Sequence, residues 1–443
     1  VPTVLVSREL PAWVDPAELY LSGPAGYPHS FWLDAGPGAT AGWSWLGSGE
    51  PAAAPRATEA SPATGGRGPG ADTAESPLGG NGGGVFRGGW IGWLGYDAAA
   101  RDAGAPAFVD GAVPQELGLR VDRFLAADHS AQRIWAWAPP DDIDAFVSDT
   151  LSWRGAPPHA DPAVPVAARA RHSARDYATL IERCRDRIRD GDAYQLCLTT
   201  RFEVDTAIDP VEVYLRLRAA TPAHHGGLIR IGEYALASAS PERFLEIGGG
   251  TVRTRPIKGT RARDAEPAED ARLADELVTS VKERAENVMI VDLMRNDLQR
   301  VCLPGTVSAE RLLEIESYPA VHQLVSTVAG RLTAGIRIGD VLDATFPAGS
   351  MTGAPKLSAM TILHALEGAP RGVFAGCFGW VGDDGAADLA MVIRSIVFHP
   401  HGAYVGAGGG ITWRSEASAE VAEVGVKARG PLAALGAALP PGW

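Results

Sequence analysis

The sequence predicts an α+β protein built on large antiparallel sheets. Three observations carry that reading. Helix-period and strand-period stretches follow one another in mixed order, without the regular strand–helix alternation of a parallel fold. Glycine-punctuated apolar runs recur, as in Phe86 to Asp97, where glycines and aromatics alternate. Strand candidates are joined by tight turns, such as Gly232-Glu233 between Leu228–Ile231 and Tyr234–Ser238.

Taken in order, residues 1 to about 48 read as short strands and turns, with Phe31–Asp34 and Trp43–Leu46 the apolar strand candidates. From Gly49 to Gly84 the chain is Ala, Pro, Gly, Thr and Ser with almost no large apolar residue, which predicts a mobile surface insertion. Arg133–Trp137 reads as a strand, followed by a helix from Asp142 to Trp153 and a Pro/Ala linker over Gly155–Pro165. That linker divides an N-terminal part, 1–165, from a second part, 173–433. Ser173 then caps a helix whose apolar positions are Tyr177, Leu180, Ile181, Cys184 and Ile188, and Gly191-Asp192 ends it. Ala268 to Asp297 gives the longest helical pattern, with Leu273, Leu277, Val281 and Val288 on one stripe. Beyond it, helices over 338–345, 356–367 and 420–429 alternate with strands over 376–381, 389–398 and 403–406.

Composition narrows the function. The chain has 443 residues, 46% hydrophobic and 21% charged, enough to bury a large core. A net charge of −13 and the lack of dense basic runs argue against a nucleic-acid surface. Small anionic substrates stay open, because a local arginine or metal ion can dominate a site. Cys184, Cys197, Cys302 and Cys377 lie far apart without zinc-like spacing and read as reduced, buried thiols. With no charged-then-apolar leader and no bilayer-length apolar run, a soluble cytoplasmic protein is expected.

Lysine is scarce. Of 40 basic residues only Lys258, Lys282, Lys356 and Lys427 are lysines. An ammonium can lose its proton and act as base or nucleophile, which a guanidinium cannot. Lys258 stands in Arg255-Pro256-Ile257-Lys258-Gly259-Thr260, which reads as a tight turn after a short strand. Glu283 and Glu286 share one helix face, as do Glu420, Glu423 and Lys427. Spacing alone favours solvent-facing glutamates; two converging pairs would instead suit one hard cation. The runs Ala407–Ile411 and Ala348–Lys356 offer backbone amides to an anion but match neither a P-loop nor a dinucleotide fingerprint. Arg394, after Met391-Val392-Ile393, needs an anion, a carboxylate or water.

Together these runs resemble the chorismate-utilising enzymes, the family of anthranilate synthase component I. The resemblance rests on ordered motifs: Gly191–Gln195, Ser240–Phe244, Pro256–Thr260, Glu283–Asp297, Gly349–Lys356, Ile393-Arg394 and Gly408–Lys427. It implies a single large α/β/β/α sandwich with the active site between its layers. It also implies roles. Glu286 and Glu423 would hold magnesium, supported by Glu283 and Glu420. Glu242 would be the general acid for the departing C4 hydroxyl, and His322 would stand near that leaving group. Arg394, Lys427 and the amides of Gly408, Gly409 and Gly410 would hold carboxylates, with Ser350 and Thr260 also on the substrate side.

Two positions choose among members of the family. Isochorismate and salicylate synthases place a water-activating lysine where this chain has Gln195, a neutral amide. Anthranilate synthases have alanine in Pro-Ile-Ala-Gly-Thr where this chain has Lys258, which resembles the aminodeoxychorismate synthase branch. That branch makes 4-amino-4-deoxychorismate, on the route to p-aminobenzoate and folate, through a covalent Lys258 adduct. Anthranilate synthase is the alternative, ahead of an isochorismate or salicylate synthase or a non-catalytic partner of a glutaminase. No Gly-x-Cys-x-Gly elbow is present, and Cys302 lacks flanking glycines, so a glutamine amidotransferase subunit is the implied ammonia source. Thr221–His225 and Trp32–Gly36 depart from the family's tryptophan-binding segments, so tryptophan inhibition is not expected, and Phe374 replaces a tyrosine of anthranilate synthases.

Overall fold

The computed structural model describes residues 4–60, 86–153, 164–318 and 321–443. Strands from both ends of the chain interleave in two antiparallel sheets. The first, of twelve strands, runs in the order Val6–Glu9, Arg133–Ala138, Phe124–Asp128, Trp43–Ser48, His29–Asp34, His225–Ile231, Tyr234–Ser240, Ser395–His399, Gly402–Ile411, Gln195–Val204 and Gly353–Ala354, with Ala168–Ala170 beside Gln195–Val204. The second, of ten, runs Ile257–Ala262, Val321–Arg331, Thr251–Thr254, Arg243–Gly248, Ala387–Met391, Cys377–Gly382, Gly89–Leu94, Glu116–Val121 and Glu50–Pro51, with Ser308–Ser317 beside Val321–Arg331.

Strand periodicity explains how the sheets stack, because successive side chains leave opposite faces. Along one strand Leu228 joins the core under the helices, whereas Ile229 and Ile231 join the core between the sheets. That inner core gathers Phe31, Trp93, Leu119, Phe124, Phe378 and Val397 from both sheets. On the outer face of the first sheet pack the helices Pro16–Ser22, Ala174–Arg189, Pro210–Ala220, Lys356–Glu367 and Ala417–Ala434. On the outer face of the second pack Val281–Gln299 and Ile338–Thr345. The result is the α/β/β/α sandwich expected. Burying side chains such as Trp32, Trp93, Tyr177 and Phe244 contributes roughly 1.5–3 kcal/mol each by area, before entropy is counted. All four cysteines are buried free thiols, as expected.

Several expected elements differ. The predicted insertion is anchored at its start: Glu50 pairs with Arg120, Ala60 is buried, and its N–H reaches the Ile336 carbonyl at 2.7 Å. The rest of that insertion, and most of the predicted linker, fall outside the described residues. The predicted long helix is two helices, Pro267–Thr279 and Val281–Gln299. Ser280 leaves helical geometry (ψ 112°) and caps the second, accepting from the Glu283 N–H at 3.3 Å. The break turns Val281 and Val288 to solvent, and the second helix instead buries Ile290, Val291, Met294 and Leu298. The predicted strand 389–398 is likewise two, parted at Arg394, whose φ of 53° breaks the ladder. The predicted strand 403–406 is longer, Gly402–Ile411, and takes in the glycine run 407–411.

Candidate active site

Lys258 sits in the strand Ile257–Ala262, in a bulge where the sequence suggested a turn. Ile257 faces Val325 and Thr260 faces Gln323, so one extra residue is accommodated between them. Gly259, at φ 83°, makes the bulge possible; a Cβ there would stand 2.7 Å from Leu277 Cδ1 and 3.0 Å from Glu283 Oε2. The bulge turns Lys258 into a cavity of about 470 Å³, a size suited to a small metabolite.

Five carboxylates line this cavity: Glu242, Glu283, Glu286, Glu420 and Glu423. Five cations face them: Lys258, Lys282, Lys427, Arg261 and Arg394. The capping residue Ser280 starts the helix that carries Glu283 and Glu286, and the helix Ala417–Ala434 carries Glu420, Glu423 and Lys427. Lys427 is held by two partners, donating to the Gly408 carbonyl at 2.8 Å and pairing with Glu423 at 2.7 Å. The strand Gly402–Ile411 pairs with Ser395–His399 only through Val405, while its other edge stays paired to Gln195–Val204. Past Val405 the freed edge leaves Gly406, Gly408 and Gly410 in the cavity wall. Gly409 is not in that wall; a Cβ on it would come within 3.2 Å of Glu420 Oε2. Thr260 and Ser350 line the cavity, and Ser350 Oγ donates to Glu242 Oε1 at 2.8 Å.

The charges respond to burial and to one another. Burial raises the Glu242 carboxyl above its ordinary value, against the lowering pull of Lys258, the Ser350 hydrogen bond and Lys427. Glu286 is also raised by burial and by Glu283 and Glu420, although Lys258 and Lys282 oppose this. Glu420 is raised by burial, with Glu423 adding repulsion. Burial acts upward on Glu423 too, but Lys427, Lys282 and Lys258 together bring it below the usual range.

This donor set fits a hard cation. Glu286 Oε1 is buried and accepts no hydrogen bond from the described residues, and like-charged carboxylates oppose each other across the cavity. Among the described residues, however, no three acidic, histidine or cysteine side chains converge into a preformed cluster. The four glutamates share a cavity without meeting at one point.

Besides Gly409, two expected residues are not in the cavity wall. His322 is buried on the other face of its strand, with Nε2 2.9 Å from Asp270 Oδ1 and Nδ1 2.7 Å from Ser317 Oγ. Its neighbour Gln323 lines the cavity instead, as strand alternation requires. Gln195 is fully buried behind Gly410, where a Cβ would lie 2.5 Å from its Nε2; among the described residues neither polar atom of its amide has a hydrogen-bond partner. The sequence reading assigned no role to Lys282, Gln323, Cys197, Thr199 or Met351, which also line the cavity. Only Lys282 carried a signal, its rarity. A second cavity, of about 490 Å³, is lined by His224 and His225 and shares Pro241 and Ile257 with the first.

The family described as chorismate binding enzyme matches residues 39–433. An aminodeoxychorismate synthase of Streptomyces pristinaespiralis is 42% identical over 369 residues, covering 79% of this chain and 51% of that protein. An anthranilate synthase component 1 of Streptomyces coelicolor is 39% identical over 373 residues, covering 79% and 73%. The crystal structure of anthranilate synthase component I from Streptococcus pneumoniae superposes with a TM-score of 0.71 at 31% identity, covering 78% of this chain and 80% of that one. The chain thus spans about half the length of the aminodeoxychorismate synthase it matches. With nearly its whole length matched and the same sandwich fold in a solved relative, the chain belongs to the chorismate binding enzyme family.

Proposed function

We propose that this chain is the aminating component of an aminodeoxychorismate synthase, converting chorismate and ammonia to 4-amino-4-deoxychorismate. The observation that carries the reading is the Lys258 bulge, which turns a lysine into the same cavity as Glu242 and the paired glutamates. The Lys258 amine attacks C2 of chorismate; the two conjugated ring double bonds shift, C1=C2 to C6=C1 and C5=C6 to C4=C5, and the C4 hydroxyl departs as water with a proton from Glu242. Ammonia then adds at C4, both double bonds shift back, and the C2–N bond to Lys258 breaks, returning the lysine. The enolpyruvyl ether is kept throughout. Hydroxide is a poor leaving group, so the reaction needs a buried acid that is still protonated, and the raised Glu242 carboxyl supports that role.

Arg394, Lys427 and the glycine edge at Gly406, Gly408 and Gly410 supply the positive charge and free backbone that a dicarboxylate requires. Glu286 and Glu423, backed by Glu283 and Glu420, would hold magnesium. That ion, when bound, supplies positive charge to a ring carboxylate. Gln195, a neutral amide, offers no base for water addition at C2. His322 lies on the opposite face of its strand, held by Asp270 and Ser317, so no role at the leaving group is proposed for it. The ammonia source would be a glutamine amidotransferase, in keeping with relatives about twice as long as the matched region. Among the described residues no helix is long and apolar enough to cross a membrane.

Anthranilate synthase is the second reading, favoured by the 39%-identical relative of that name. Phe374, in the cavity wall, counts against it because it lacks the tyrosine hydroxyl of those enzymes. Mass spectrometry of the product from chorismate, ammonium and magnesium decides between them. An aminated product retaining the enolpyruvyl group is expected; stoichiometric pyruvate with a fluorescent aromatic amine would overturn the proposal.

A further inference from the structure

Three of the four lysines in this arginine-rich chain line one cavity, and Lys282 is the one without an assigned task. Its position is electrostatically awkward. It is the second residue of the helix Val281–Gln299, where the positive end of the helix dipole disfavours a cation. Its partner Glu286 lies four residues on, and a lysine preceding a glutamate is the weaker order for such a helical pair. Local helix energetics therefore give little reason for a lysine here.

The cavity gives a better one. Lys282 Nζ stands 3.9 Å from Glu286 Oε1, in ion-pair range but too far for a hydrogen bond. That oxygen is buried, and among the described residues no protein group donates a hydrogen bond to it. The Lys282 side chain is 47% exposed, so its stem is free to swing away, whereas Glu286 is only 14% exposed. Its charge also reaches Glu420 and Glu423 across the cavity. Lys427, by contrast, is tied to Gly408 and Glu423.

We infer that Lys282 is a displaceable internal counter-cation: it neutralises the Glu286–Glu420–Glu423 group in the metal-free protein and gives way when a divalent cation binds there. This rests on the metal assignment made under the proposed function. Ammonium and divalent ion would compete for the same carboxylates, so part of the ion's binding energy is spent on expelling the lysine. The exchange needs no bond chemistry, only rotation of a solvent-facing stem.

The test is binding of Mn2+ to the substrate-free full chain, followed by electron paramagnetic resonance, with thermal melting to verify folding. Lys282→Met should tighten Mn2+ binding at least threefold. Lys282→Arg, which keeps the charge and adds a bidentate fork, should leave it equal to wild type or weaker. Equal or weaker binding by Lys282→Met, or tightening by both variants, overturns the inference while leaving the metal assignment standing. No Mn2+ uptake by wild type and Lys282→Met alike overturns both.

Discussion

Ser350 Oγ donates a 2.8 Å hydrogen bond to Oε1 of Glu242, a carboxyl that burial holds above its ordinary value. The bond favours the charged form and therefore works against burial. In Ser350→Ala that restraint is gone, and Glu242 should ionise at higher pH. A general acid is active only while protonated, so kcat falls as pH rises through its pKa. The alkaline limb of the kcat–pH profile should accordingly move to higher pH in Ser350→Ala, with the acid limb fixed. An unmoved alkaline limb would separate Ser350 from the proton donor.

Gly259→Ala tests the bulge. Alanine at φ 83° is strained, and its Cβ would press on Leu277 and Glu283. A loss of about 1–3 kcal/mol in folding stability is expected from the backbone strain, read from urea unfolding. Amination should fall further than stability, because the bulge sets where Lys258 points. If activity per folded molecule is unchanged, the bulge does not aim the lysine.

Much of this architecture was legible in the chain, and the failures share a physical origin. Helices 338–345 and 356–367 were bounded correctly because caps and apolar period agree there. The long helix was misread because its apolar stripe runs across Ser280, although Ser280 and Glu283 have the Ser-x-x-Glu spacing of a helix start. The predicted strand 403–406 stopped short of Gly408 to Gly410 because glycine is rare in strands; here the lack of side chains at Gly408 and Gly410 leaves a cavity beside the ladder. The side of the strand to which His322 turns could not be read, since it depends on a register set by the bulge one strand away. Spacing could place Glu283 with Glu286 and Glu420 with Glu423, but only the sheets between them bring the two pairs to one cavity.

Lys356 and Asp297 form a buried pair at 2.6 Å, with Lys356 also donating to the Thr345 carbonyl at 3.2 Å. It ties the end of the helix bearing Glu283 and Glu286 to the segment bearing Ser350. Lys356→Met leaves Asp297 buried without its partner and should cost about 3–5 kcal/mol. Asp297→Asn combined with Lys356→Met should recover much of that, because no lone charge remains. Chemical denaturation of the single and double variants measures the coupling. Additive losses would mean that the pair contributes nothing beyond its separate parts.

Gln195 separates stability from function most cleanly. Its amide is fully buried, and among the described residues neither its oxygen nor its nitrogen finds a hydrogen-bond partner, a configuration that costs about 1–3 kcal/mol per unsatisfied group. Such a cost persists only where something other than folding benefits. Gln195→Met keeps the length and flexibility of the side chain and removes both polar atoms. The melting temperature should stay level or rise by a few degrees. If the amide serves ammonia or substrate behind Gly410, ammonium-dependent amination should drop tenfold or more in the same protein. A more stable variant with undiminished turnover would assign Gln195 to packing alone. A less stable one would mean that the amide finds partners in solution, such as buried water, and that the cavity wall at Gly410 depends on them.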